Sequence, residues 1–97
     1  MKLIGSKKCY LCPKEAKEYV APGNTWNIFM ECPECKQYEI THRAKKFAFN
    51  RDDGLNMDDK LKLSKHVQNE FKKTGKPVII DTDVLKEVIG KSFGHVL

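Results

Sequence analysis

The sequence predicts an α+β fold: a β-hairpin flanked by cysteine knuckles, then a short helix, a longer amphipathic helix and a C-terminal β-α unit. Three observations predict it. Two Cys-x-x-Cys pairs bracket an alternating stretch that contains a Pro-Gly-Asn turn signal. Residues 57–74 carry apolar side chains at helical spacing, and a short apolar run at 78–80 precedes a second helical pattern that ends at Gly90. The chain has 97 residues, which suits one compact domain: a cysteine-bearing subdomain over 1–50 and a helical subdomain over 51–97 that shares its core.

Taken in order, residues 1–8 read as a short, basic, loosely ordered lead-in with Lys2, Lys7 and Lys8. Residues 15–21 are expected to form a strand with Ala16 and Val20 on one face. Residues 25–31 alternate, placing Trp26, Ile28 and Met30 on one face and Asn27, Phe29 and Glu31 on the other. With Pro22, Gly23 and Asn24 between them, these two segments form a hairpin. The chain then passes through the second cysteine pair into a strand over 36–41, with Tyr38 and Ile40 on one side. Thr41 caps a short helix running to about Asn50, its Ala44, Phe47 and Ala48 turned inward, and Asp52-Asp53-Gly54 ends it.

The helix over 57–74 is the strongest element. At 100° per residue, Met57, Leu61, Leu63, Val67 and Phe71 fall in an arc of about 160° and form its expected buried face. Asp58 and Asp59 suit its N-terminus, Lys72 and Lys73 its C-terminus, and Gly75 its stop. Residues 78–80 read as a strand. Asp81, Thr82 or Asp83 then caps a helix carrying Val84, Leu85, Val88 and Ile89. The tail at 91–97 has no assignment.

All four cysteines lie in the two knuckles, Cys9-x-x-Cys12 and Cys32-x-x-Cys35, nineteen residues apart. Two residues between cysteines let both sulfurs face one ion, and the hairpin returns the chain so that the knuckles meet. Four thiolates at ~2.3 Å satisfy Zn2+ as a closed tetrahedron. One structural zinc ion is therefore the expected cofactor; a rubredoxin-like iron site uses the same ligands. The beginning of the chain lacks a secretory signal, which predicts a cytoplasmic protein, where disulfides are uncommon. No run of apolar residues is long enough for a membrane span. A closed four-cysteine site leaves no position for water, no cysteine remains free as a nucleophile, and no Walker loop, dinucleotide turn or Ser-His-Asp order is present. The chain is accordingly expected to be no enzyme and to take no small-molecule substrate.

The stretch Cys32-Pro33-x-Cys35-x-x-Tyr38-x-Ile40-Thr41, preceded by Cys9-x-x-Cys12-Pro13, resembles a zinc-ribbon module of bacterial and phage proteins. Those proteins are mostly uncharacterised and some are defence-associated. In them a Leu-Ser helix, a Gly-x-Pro and a short apolar strand often follow. Here Leu63-Ser64, Gly75-Lys76-Pro77 and residues 78–80 stand in that order. Lys36 occupies a position where the second knuckle often has glycine. The resemblance covers roughly residues 9–90 and implies that 1–50 is a zinc-ribbon subdomain.

The formal charge is +5; four thiolates and one divalent cation together carry −2, which leaves about +3 on the metallated chain. That mild bias favours anionic partners. Two clusters could meet phosphates: Arg43, Lys45 and Lys46 beside His42, and Lys62, Lys65, Lys72 and Lys73 on the polar face of the long helix. Tyr10, Tyr19, Phe29 and Tyr38 are candidate stacking residues or hairpin core, and Trp26 is expected in the core. The expected role is binding of nucleic acid or the transcription apparatus. The alternative is a small phage or bacterial module that modulates a host or defence protein complex, docking through Tyr19 and Phe29 or another apolar patch.

Overall fold

The computed structural model describes residues 2–20, 26–49 and 55–90. The turn at 22–24, the break at 52–54, the tail at 91–97 and the side chain of Phe47 lie outside the described residues. Five strands form one sheet in chain order: β1 (Lys2–Lys8), β2 (Glu15–Val20), β3 (Ile28–Cys32), β4 (Lys36–Ile40) and β5 (Val78–Ile80). The first four are antiparallel, whereas β5 runs parallel to β4. A parallel pair requires a crossover. Helices α1 (His42–Ala44) and α2 (Met57–Thr74) lie within that crossover, and α3 (Thr82–Ile89) follows β5. Among the described residues, no helix is long and apolar enough to cross a membrane.

The expected hairpin of β2 and β3 is present, with Lys17 opposite Glu31 and Val20 opposite Ile28. The lead-in expected to be loose is instead β1, which pairs with β2 along its length. Its side chains are exposed apart from a half-buried Gly5, so no burial pattern marks it in the sequence. Backbone hydrogen bonding to β2 orders it, and its lysines at the sheet margin discourage further pairing.

The core lies on one face of the sheet. Met30, Tyr38, Ile40 and Ile80 are fully buried there against Leu63 and Val67 of α2, Leu85 of α3, and Ala44 and Ala48. Trp26 does not join its expected partners Ile28 and Met30. It lies just before β3 with φ 60° and is 81% exposed. The left-handed backbone breaks the alternation that would have turned it inward.

The Thr41 cap forms as expected: the Ala44 N–H donates to Thr41 Oγ1 at 3.2 Å, and the Thr41 N–H donates to the Ile80 carbonyl at 3.1 Å, tying this corner to β5. The helix is α-helical over three residues only and then widens into a π-helical turn over Lys45–Phe49.

Helix α2 has its expected limits and a capping box. Asn56 Oδ1 accepts from the Asp59 N–H at 2.8 Å, and Asp59 Oδ2 accepts from the Asn56 N–H at 3.4 Å. Gly75, with φ 68°, ends it in the left-handed conformation that glycine adopts without strain. Its buried face differs from the expected one. Asp59, Leu63, Ser64 and Val67 are buried, while Met57 is 86% and Leu61 53% exposed. The packed stripe is rotated by roughly 50° from the apolar arc. Ser64 Oγ, 3.0 Å from Cys35 Sγ, is the polar contact that holds this face against the sheet.

The rotation distinguishes two leucines two residues apart. Leu63→Ala removes a fully buried side chain and is expected to cost about 2–5 kcal/mol. Leu61→Ala is expected to change stability by less than about 0.5 kcal/mol. Urea unfolding of both variants checks this, and equal losses would contradict the rotated seat.

Candidate metal centre

Two tight turns at one end of the sheet carry the four cysteines. The first links β1 to β2. Its Cys9 N–H donates to the Lys14 carbonyl at 2.8 Å, and the Leu11 N–H points back to Cys9 Sγ at 3.4 Å. The second links β3 to β4, with Cys32 as the last residue of β3 and opposite Lys36. Lys36, just past this turn, has φ 73°, the left-handed conformation that glycine adopts without strain. The sheet register therefore brings the knuckles together.

The four sulfurs all lie within 4.8 Å of one another. Cys12 and Cys32 Sγ are 3.5 Å apart, and Cys9 and Cys35 Sγ 3.9 Å. A tetrahedral ion with metal–sulfur bonds of ~2.3 Å requires sulfur–sulfur edges of about 3.8 Å. These separations fit that requirement and far exceed a disulfide bond of about 2.0 Å. All four thiols are free; Cys9, Cys32 and Cys35 are buried and Cys12 is half-buried. The donor set fits one metal ion held by Cys9, Cys12, Cys32 and Cys35.

A second ring of polar groups supports the sulfurs. Tyr38 Oη lies 2.9 Å from Cys9 Sγ and accepts from the Tyr10 N–H at 3.2 Å. Ser64 Oγ lies 3.0 Å from Cys35 Sγ and accepts from Gln68 Nε2 at 3.0 Å. Each hydroxyl thus receives one proton and has its own to give. A metal-bound thiolate has none, so both hydroxyls donate to sulfur in the loaded centre. Burial, followed by the neighbouring Cys9 charge, holds the Tyr38 hydroxyl far above its ordinary range, which keeps it a donor.

The metal-free thiols are unequal. Contact with the Cys35 sulfur, aided by Tyr38 and backbone N–H groups, lowers Cys9 to about 5 despite its burial. Burial raises Cys12 to about 11. Cys35, in contact with the Cys9 sulfur and itself buried, rises well above the usual thiol range. At neutral pH a metal must therefore displace at least the protons of Cys12 and Cys35.

The basic residues occupy separate elements. Arg43 and Lys46 are exposed and Lys45 half-buried around α1, while Lys62, Lys65, Lys72 and Lys73 are exposed along α2. His66, on the same helix, is half-buried. Of the candidate stacking residues, Tyr38 and Phe29 are buried. Tyr10 and Tyr19 are half-buried and meet Phe49 and Phe29 edge-on, with ring centroids 5.6 and 5.9 Å apart. The roles of Tyr38, Ser64 and Gln68 were not foreseen from the sequence. Tyr38 stands three residues after Cys35, a local signal; Ser64 and Gln68 reach the site only through the seating of α2.

The chain matches no protein-family model, and no curated protein or solved structure is significantly similar to it.

Two outcomes are expected. Ser64→Ala and Tyr38→Phe should each weaken metal affinity by about 10–100-fold, read by competition with a chromophoric chelator. In the wild-type chain, affinity should rise with pH. At least two displaced protons correspond to at least about a hundredfold per pH unit between about pH 6 and 8. A flat profile would contradict the protonation of Cys12 and Cys35.

Proposed function

We propose that the chain is a non-catalytic, structural-zinc protein that binds nucleic acid, or machinery assembled on it such as the transcription apparatus. Four thiolates are the donor set that zinc takes in closed structural sites, and such a site has no open position at which to activate water. The burial of three of the four cysteines agrees with a folding role. The likeness of the knuckle sequence to the zinc-ribbon module of bacterial and phage proteins supports the same assignment.

The observation that carries the binding surface is the seat of α2. Leu63, Ser64 and Val67 face inward, which leaves Lys62, Lys65, Lys72 and Lys73 exposed along the helix. Lysines placed along one helix can follow a phosphate backbone. Docking to a host or defence protein complex is a second reading, favoured by the exposure of Met57 and Leu61 beside those lysines. Of the residues the sequence offers for that contact, Phe29 is only 4% exposed, whereas Met57 and Leu61 form an exposed apolar patch.

The zinc-loaded chain should bind labelled DNA or RNA at low salt, with affinity falling steeply as salt rises. The double variant Lys62→Glu, Lys65→Glu should weaken binding and reduce the slope of log affinity against log salt by about 1–2. If nucleic acid does not bind even at low salt, the protein-docking reading replaces this one. Elemental analysis of the purified chain should find about one zinc per chain; a visible iron–thiolate absorption band would instead assign iron.

A further inference from the structure

Trp26 is the only tryptophan in the chain and its most exposed aromatic side chain among those described, at 81%. Tryptophan is highly buried on average, so its exposure needs a cause. Its backbone adds to the anomaly: φ is 60°, a left-handed conformation that a bulky L-residue adopts only under strain. The chain bears this strain and gains no core packing from the indole.

The residue that follows fixes the position. Asn27 Nδ2 donates to Glu39 Oε2 of β4 at 2.7 Å, and Asn27 Oδ1 accepts from the His42 N–H at 3.0 Å. One side chain therefore clamps the entry to β3 onto both the last turn of β4 and the start of α1. Trp26 is immediately next to this clamp. His42, whose N–H Asn27 holds, is exposed, as are Arg43 next to it in α1 and Lys46 one turn later. An outward indole and a group of cations thus share one corner of the sheet.

Resting on the nucleic-acid reading above, we propose that Trp26 is a base-stacking platform and that the partner is single-stranded nucleic acid. A flat π-face takes any unpaired base, and nearby cations take the phosphates on either side. A duplex offers the cations their phosphates but hides the faces of its bases. A membrane surface fits less well, because it calls for an apolar face, and beside Trp26 the polar Asn27 is hydrogen-bonded to the exposed His42.

The sole tryptophan reports on its own contact. The zinc-loaded full chain is titrated at low salt with oligothymidylate and oligouridylate of roughly a dozen nucleotides, with a hairpin duplex, and with anionic lipid vesicles. The expected result is quenching of Trp26 fluorescence at saturation by one or both single strands. Trp26→Ala should weaken single-strand binding about 5–150-fold, leave duplex affinity unchanged, and retain the wild-type unfolding midpoint within error. Trp26→Phe should recover part of the loss. Single-strand binding with unaltered fluorescence and no effect of Trp26→Ala would overturn the platform while the nucleic-acid reading stands. Binding of duplex alone would do the same. A blue shift on vesicles without any nucleic-acid binding would overturn both in favour of a lipid surface, and no binding to any probe would also overturn both.

Discussion

Four sulfur atoms from two turns, brought within 4.8 Å of one another, are the constraint on which the rest of this structure depends. They require the β1–β2 and β3–β4 connections to lie at the same end of the sheet, which the antiparallel register of the first four strands provides. They also reach beyond the sheet. Ser64 is brought to Cys35 by α2, and Tyr38 to Cys9 by β4, so strand and helix are both tied to the same few atoms. For a chain of 97 residues, whose hydrophobic core is modest, a centre of this kind contributes directly to folding.

The parts legible in the sequence are those governed by local rules. Thr41, Gly75, Asp81 and Gly90 act as caps because cap chemistry involves only neighbours a few residues apart. At the start of α2 the sequence points to Asp58 and Asp59 but not to Asn56, which is the N-cap. The knuckles were legible because their spacing is the chemistry. Strands β2 to β5 followed from alternation and short apolar runs. What could not be read depends on contacts distant in sequence. β1 has no buried alternation and is ordered by its partner strand. The rotation of α2, which exposes Met57 and Leu61, is held by a contact to a sulfur 29 residues away. Trp26 fits the alternating pattern well, and only its left-handed backbone removes it from the core.

The structure places two kinds of chemistry at opposite ends of β3. Cys32 ends the strand at the metal centre, and Trp26 precedes it at the α1 corner. Five extended residues separate them by roughly 17–20 Å. The cysteine cluster is thus remote from the corner that presents aromatic and basic groups. Changes in one surface need not disturb the sulfurs.

The parallel pairing of β5 with β4 has a consequence for the order of assembly. Tyr38 of β4 lies opposite Val78, whereas the farthest paired sulfurs, on Cys9 and Cys35, are only 26 residues apart. During synthesis the cysteines and the first four strands leave the ribosome well before β5 does. The edge of β4 is then without its neighbour, and Tyr38 and Ile40, fully buried in the finished protein, lack part of their cover. Late, long-range closure of this kind is slow and leaves a strand margin open to other chains. The nascent chain is therefore most vulnerable to aggregation in the interval after its cysteines emerge and before residues 78–80 become available.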